Sequence, residues 1–206
     1  MEIIDISMEI SEQMPVYKDR EEKKPELKTL STHQKDGVHE TEISLNLHSG
    51  THIDAPLHMI KQGATTEVYN WSHYITRARV LDLTDKEEKI TSKDLKKVAP
   101  QEDEFLLFKT QNSFREDCTT DFVYLDVTGA QYLARRGIKG AGIDSLGIER
   151  AQPGHPTHEA LLSQNIIILE GLRLADVQVG EYKLIFLPLK IAGVEAAPGR
   201  AILIRD

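Results

Sequence analysis

Leu47-His48-Ser49-Gly50-Thr51-His52-Ile53-Asp54-Ala55-Pro56-Leu57-His58 places three of the chain's eight histidines and a carboxylate within eleven residues. Imidazole and carboxylate are the usual ligands of a catalytic zinc or manganese ion. A helix fits the stretch poorly, because Gly50 and Pro56 interrupt it and Asp54 would leave the face shared by His48 and His52. In an extended chain the even-numbered His48, His52, Asp54 and His58 face one side, and Leu45, Leu47, Ile53 and Leu57 face the other. A straight strand is nonetheless too long. At about 3.3 Å per residue, His48 and Asp54 would stand roughly 20 Å apart, whereas each must bring a ligand atom to about 2 Å from an ion. The chain must therefore fold back within the stretch, with Gly50 free to adopt unusual backbone angles and Pro56 fixing a turn after Asp54.

Upstream, Ile43, Leu45 and Leu47 alternate with Glu42, Ser44, Asn46 and His48. This predicts an amphipathic strand over residues 40–48 whose polar face runs into the histidine stretch. Residues 18–37 are rich in charge and read as a solvated loop or irregular edge. Residues 3–8 read as a first strand, and Pro15 sets an extended or turning segment at Met14-Pro15-Val16-Tyr17. His33 and His39 sit in polar surroundings and read as surface residues, while His73, among aromatics, reads as packing.

Downstream, strands are expected over residues 79–83, 105–108, 140–144 and 165–170. Helices alternate with them: residues 91–98 behind a Thr91 or Ser92 cap, residues 128–136 ending at Gly137, and one beginning and capped near Thr157. Tyr182-Lys-Leu-Ile-Phe-Leu-Pro-Leu and Ala201-Ile-Leu-Ile204 supply further core strands. The pattern implies an α/β fold, one domain over residues 1–206, with a mixed, strongly curved or barrel-like sheet flanked by helices. Glu170 ends an otherwise apolar run, where a carboxylate is costly unless paired or metal-bound. Asp144 stands at another strand end, either supporting the site or satisfied by backbone amides.

Composition narrows the function. The net charge of −8, with both signs interspersed, argues against nucleic acid or an anionic membrane as the main partner. The single cysteine, Cys118, excludes an intramolecular disulfide, fits a reducing cytoplasm and has no Cys-His motif around it. No signal peptide is expected from the N-terminal residues, and the apolar runs fall far short of membrane-spanning length. No Ser has glycines at both positions of Gly-x-Ser-x-Gly, and Ile43 and Leu162 occupy the second histidine positions of H-E-x-x-H. Gly137-Ile-Lys-Gly140-Ala-Gly142 is not spaced as a dinucleotide fingerprint.

His48-Ser-Gly-Thr-His52-Ile-Asp54-Ala-Pro-Leu-His58 resembles the H-x-G-T-H-x-D-x-P-x-H signature of the cyclase family of metal-dependent hydrolases, which includes bacterial kynurenine formamidases and isatin hydrolases. Gly142-Ile-Asp144-Ser145, the Pro-Leu-Lys and Ala-Pro-Gly-Arg stretches, and the twelve-residue spacing of His158 and Glu170 resemble the family too. The resemblance implies a swivelling β/β/α fold and a cytoplasmic enzyme acting on non-peptide C–N bonds, forming homodimers or larger assemblies. It implies two divalent ions, zinc or manganese. His48, His52 and Asp54 would hold one; Asp54, His158 and Glu170 would hold the other, with Asp54 and Glu170 bridging. His58 would stay off the metals as proton shuttle beside metal-activated hydroxide, and His155 is the rival ligand. The implied substrate is a small amide, with N-formylkynurenine as reference. A cyclic amide or lactone, or a non-catalytic metal-binding role, is the alternative. Tyr17 would line the pocket, but kynurenine formamidases of the family carry Trp there, followed by Pro-Gly where this chain has Lys18-Asp19.

Overall fold

A computed structural model describes residues 1–115 and 120–205, so Cys118 lies outside the described residues. The strands are β1 (Glu2–Asp5), β2 (Glu26–Ser31), β3 (Glu40–Ser44), β4 (His52–Asp54), β5 (Ile75–Asp82), β6 (Lys89–Ile90), β7 (Phe105–Lys109), β8 (Tyr124–Leu125), β9 (Gly140–Ile143), β10 (Ile167–Glu170), β11 (Gly180–Pro188) and β12 (Ala196–Arg205). The helices are α1 (His33–Asp36), α2 (Trp71–Tyr74), α3 (Ser92–Val98), α4 (Val127–Arg136) and α5 (Pro156–Leu162).

Seven strands close into a barrel in the order β12-β11-β5-β7-β9-β10-β4, with β4 pairing back onto β12 and β1 added along the far half of β12. The neighbours β5, β7, β9 and β10 run parallel, which requires crossover connections. These contain α3, α4 and α5, which pack side by side against the sheet. The α/β expectation with a curved mixed sheet is met.

Alternation along the strands divides the apolar residues into two cores. Ile53, Val80, Leu107, Leu169, Leu184 and Leu203 fill the barrel. Leu81, Leu106, Phe108, Ile143 and Ile168 face outward and pack with Leu95, Leu133 and Leu161 of the helices. The helices carry their own start and stop signals. Thr91 and Asp94 form a reciprocal cap on α3, the Asp126 carboxylate accepts the Gly129 amide at the start of α4, and Gly137 ends α4 in the left-handed region.

Four expectations are corrected. Residues 18–37 contain β2, paired with β3 in a separate two-stranded sheet. The strand expected to run to His48 ends at Ser44, and its apolar residue Ile43 is exposed, because the barrel does not cover this hairpin. Neither Thr157 nor a neighbouring side chain caps α5. His155 occupies the cap position in a left-handed conformation, and the Thr157 hydroxyl donates to the Leu125 carbonyl. The last strand begins at Ala196 rather than Ala201, so Ala-Pro-Gly-Arg is part of the barrel beside β4.

Candidate metal centre

The histidine stretch folds back as its length requires. Residues 46–49 turn, with the Ser49 amide donating to the Asn46 carbonyl, and Gly50 follows at φ +67°. β4 then runs for three residues between β10 and β12, and Pro56 opens a 3₁₀ turn that carries His58. Ile53 points into the barrel, so His52 and Asp54 must point out of it. The antiparallel register sets Glu170 of β10 directly opposite His52. Leu169 likewise points inward, which puts the Glu170 carboxylate on the same outer face. α5 supplies His158 from above.

The glycine just after β10 is more tightly placed than Gly50. Gly171 has φ +70°, and a Cβ there would sit 2.3 Å from the Gly50 carbonyl oxygen. Between them the buried Thr51 hydroxyl accepts the Met8 amide at 2.8 Å and donates to the Gly171 carbonyl at 2.7 Å. The segment leading to Tyr17, the histidine turn and the end of β10 are thus tied at one atom.

The donor atoms converge without satisfying one another. His52 Nε2 lies 3.6 Å from Asp54 Oδ1 and 3.3 Å from Glu170 Oε2. His158 Nε2 lies 3.7 Å from Asp54 Oδ2 and 3.4 Å from Glu170 Oε1. His48 Nδ1 approaches Asp54 Oδ1 to 3.0 Å. His52 Nε2 and both Asp54 oxygens are buried and make no hydrogen bond, a costly state for polar atoms unless something else meets them. Ligands held at 2.0–2.2 Å around a tetrahedral ion stand roughly 3.3–3.6 Å apart. These separations match ligand spacing better than hydrogen bonding. Each carboxylate turns one oxygen toward His52 and the other toward His158, as two bridging groups would. The donor set fits divalent metal.

The outer nitrogens of the buried histidines are already occupied. His52 Nδ1 meets the Gly50 carbonyl at 2.9 Å, and His158 Nδ1 meets Glu149 Oε2 at 2.7 Å. Donation there leaves Nε2 with its lone pair aimed inward, which is how metal-ligating histidines are commonly oriented. In the metal-free protein, protons take up this excess negative charge. Burial opposes a charged His158, but Glu149 and Glu170 outweigh it and push its pKa up to about 10. His52 is raised as well, against burial, by Glu170 and Asp54. Burial raises Glu170 and the His158 and His52 imidazoles lower it, with a net fall. Asp54 ends lowered too, burial and Glu170 being outweighed by His48 and His58. His58 is shifted the other way: burial holds its imidazole below the ordinary range.

His58 stands beside this set, its ring centroid 4.1 Å from that of His48 and 5.6 Å from that of His158. Donor atoms of His48, Asp54 and His58 lie within 4.8 Å of one another, as do those of His52, Asp54 and Glu170. Exposed His155 joins a third such group with Glu149 and His158. His33, His39 and His73 fall outside all three. Asp144 is apart as well, accepting from Thr110 N and Oγ1 at 2.7 Å and from Ser113 Oγ at 2.6 Å. From the end of β9 it braces the loop after β7 through neutral groups.

A cleft opens over these donors between Tyr17 and Val16 on one side and Leu146 and Gly147 on another. The Tyr17 ring packs 6.1 Å from Phe122, and its hydroxyl, whose pKa is raised by burial, is met by the Ala151 backbone. Two carboxylates escaped the sequence reading: Glu149, and Glu195 with Oε1 3.5 Å from His48 Nε2. Ile148-Glu149-Arg150 carries no local pattern that separates Glu149 from a solvated glutamate, and only its burial against His158 identifies it.

Comparison with known proteins identifies the family and the fold. A kynurenine formamidase of Salinibacter ruber is 32% identical over 206 residues, covering 98% of this chain and 97% of that one. A predicted metal-dependent hydrolase from Bacillus stearothermophilus shares 44% identity at a TM-score of 0.90, over 98% of this chain and 97% of the other. Isatin hydrolase A of Labrenzia aggregata, at 21% identity, has the same fold with a TM-score of 0.85 over 98% and 93% of the two chains. The Cyclase family model matches residues 4–150, which carry the whole histidine stretch, and the chain belongs to the Cyclase family.

Proposed function

We propose that this chain hydrolyses a small amide by means of two divalent ions, zinc or manganese. The observation that carries the reading is the pair of carboxylates, Asp54 and Glu170, each divided between His52 and His158, with both Asp54 oxygens unsatisfied and Glu170 Oε1 held by the Ile148 amide at 2.6 Å. His48, His52 and Asp54 would hold one ion and Asp54, His158 and Glu170 the other, the two carboxylates bridging. When bound, the ions supply Lewis acidity, drawing the pKa of water from 15.7 to about 7 and polarising a carbonyl oxygen.

The remaining work falls to the chain's own groups. Glu149 and the Gly50 carbonyl hold His158 and His52 in the tautomer that presents Nε2. His58 is kept neutral by burial, so a ring nitrogen is free to accept a proton from water and return it to the leaving nitrogen. Val16, Tyr17, Leu146 and Gly147 give an acyl or aryl group an apolar seat over the donors. The relatives named kynurenine formamidase support amide hydrolysis. Tyr17-Lys18-Asp19 departs from the Trp-Pro-Gly that the family resemblance implies for kynurenine formamidases, so N-formylkynurenine should be a poor substrate beside another small amide, cyclic amide or lactone.

One observation favours a second reading of His58. Its proximity to the donors of His48 and Asp54 suits a ligand as well as a shuttle. Metal analysis of protein purified without chelator, set against Asp54→Ala, tests the centre. Two ions per chain, lost on substitution, are expected. One ion at saturating zinc and manganese with activity intact rejects the paired centre. Failure to open N-formylkynurenine, isatin and simple lactones in the fully loaded protein rejects the hydrolase.

A further inference from the structure

The rim of the cleft carries positive charge that nothing in the described chain neutralises. Lys23 lines the cleft together with Tyr17 and His58. Its Nζ stands 5.8 Å from the centre of the Tyr17 ring, and Lys18 Nζ stands 5.2 Å from the same centre. Among the described residues, neither ammonium has a carboxylate within ion-pair distance. The contrast with the adjacent residue is direct: Lys24 is paired with Glu21 at 2.7 Å. Asp19 and Glu22 lie in the same stretch, but both are exposed and pair with neither lysine. In a chain of net charge −8, Lys23 places an unpaired cation on the lining of the cleft, and the exposed Lys18 approaches the same aromatic ring from outside that lining.

The backbone is bent to make this arrangement. Lys18 at φ +60° and Asp19 at φ +49° are consecutive residues in the left-handed region, where neither is glycine. Each such conformation costs of order 1 kcal/mol or more, and such strain gathers at ligand clamps. An ammonium held over an aromatic face is partly desolvated and fixed in direction, so it meets an anion at lower entropic cost than a free surface lysine does.

We propose that Lys23, supported by Lys18, is a carboxylate-recognition subsite, and that the small molecule taken by this cleft carries a carboxylate besides the group that meets the metal centre. The substrate class this implies is an anionic amide, cyclic amide or lactone, which rests on the hydrolase reading above; the anion subsite itself does not. An aromatic group between the two ends would lie on the Tyr17 ring.

The test separates these dependences. Zinc-loaded wild type, Lys23→Gln and Lys24→Gln are titrated by calorimetry with benzoate and with each of the three benzenedicarboxylates. Every probe offers one carboxylate to the metal centre, and only the diacids offer a second. The expected result is that at least one diacid binds wild type about tenfold more tightly than benzoate, that this gain disappears in Lys23→Gln, and that Lys24→Gln, already paired and outside the cleft, keeps it. The proposal is overturned if no diacid outbinds benzoate in wild type, or if the gain survives Lys23→Gln. Hydrolysis of N-formylanthranilate against formanilide by the same proteins then reports on the reaction. Turnover of neither removes the hydrolase reading and leaves the result of the titration standing.

Discussion

Loading the metal centre should release protons, and by an amount set by groups already described. In the metal-free protein His158 keeps its proton up to a pKa of about 10 because Glu149 and Glu170 favour the imidazolium. An ion binding at Nε2 at pH 7 must displace that proton across three units, at about 1.4 kcal/mol per unit, so proton competition costs roughly 4 kcal/mol. Zinc affinity should therefore rise about tenfold per pH unit between pH 7 and 9 from His158 alone, and faster where His52 is still charged. The sign for stability follows from linkage. A histidine whose folded pKa is raised stabilises the metal-free fold fully below its unfolded value of about 6.5, and that contribution is lost as pH rises through about 10. Metal-free protein should lose stability over this window, while loaded protein is spared. The assay is competition with a fluorescent chelator at pH 6.5, 7.5 and 8.5, corrected for the chelator's own protonation, with calorimetry in buffers of different ionisation enthalpy to count protons. Glu149→Gln keeps an oxygen for Nδ1 but removes the charge, and should flatten the pH slope. Affinity independent of pH, with less than about half a proton released per chain, would refute the reasoning.

Other outcomes are equally specific. His58→Ala should retain its metal yet lose turnover by about 10²–10⁴-fold; metal depletion in that variant, read by atomic absorption, would make His58 a ligand instead. Gly171→Ala forces a Cβ to within 2.3 Å of the Gly50 carbonyl at a positive φ, and should cost about 3 kcal/mol in urea denaturation; an unchanged midpoint would show that the two glycines can part. Tyr17→Trp should raise kcat/KM for N-formylkynurenine, and a wild-type value already near 10⁶ M⁻¹s⁻¹ with no gain from Trp would make this position irrelevant to substrate choice.

What could be read from the sequence depended on how far each contact reaches along the chain. His48, His52, Asp54 and His58 announced themselves because they are close in sequence, and chain length alone demanded a turn near Gly50. His158 and Glu170 came through resemblance to a family spacing; no local pattern joins them to Asp54. Glu149 was not legible at all, since its partner His158 is set by the path of the loop before α5. Ile43 shows a different limit. Its alternation with Glu42 and Ser44 gave a strand correctly, but periodicity assigns a residue to a face and says nothing about what covers that face, and here nothing in the described chain does.

β4 and β10 carry the barrel on one face and the chemistry on the other, residue by residue: Ile53 and Leu169 inward, His52, Asp54 and Glu170 outward. Selection acting on this protein can therefore treat solubility and specificity as nearly separate traits. The cleft residues Val16, Tyr17, Lys23 and Leu146 belong to neither of the two large cores, but Val16 and Leu146 pack with Met8 and Met14 in a small cluster of their own, so Tyr17 and Lys23 are the cleft positions that can change with least effect on packing. A library confined to Tyr17 and Lys23 should yield folded, metal-loaded variants at high frequency, and the scaffold is suited to acquiring new small substrates one wall at a time.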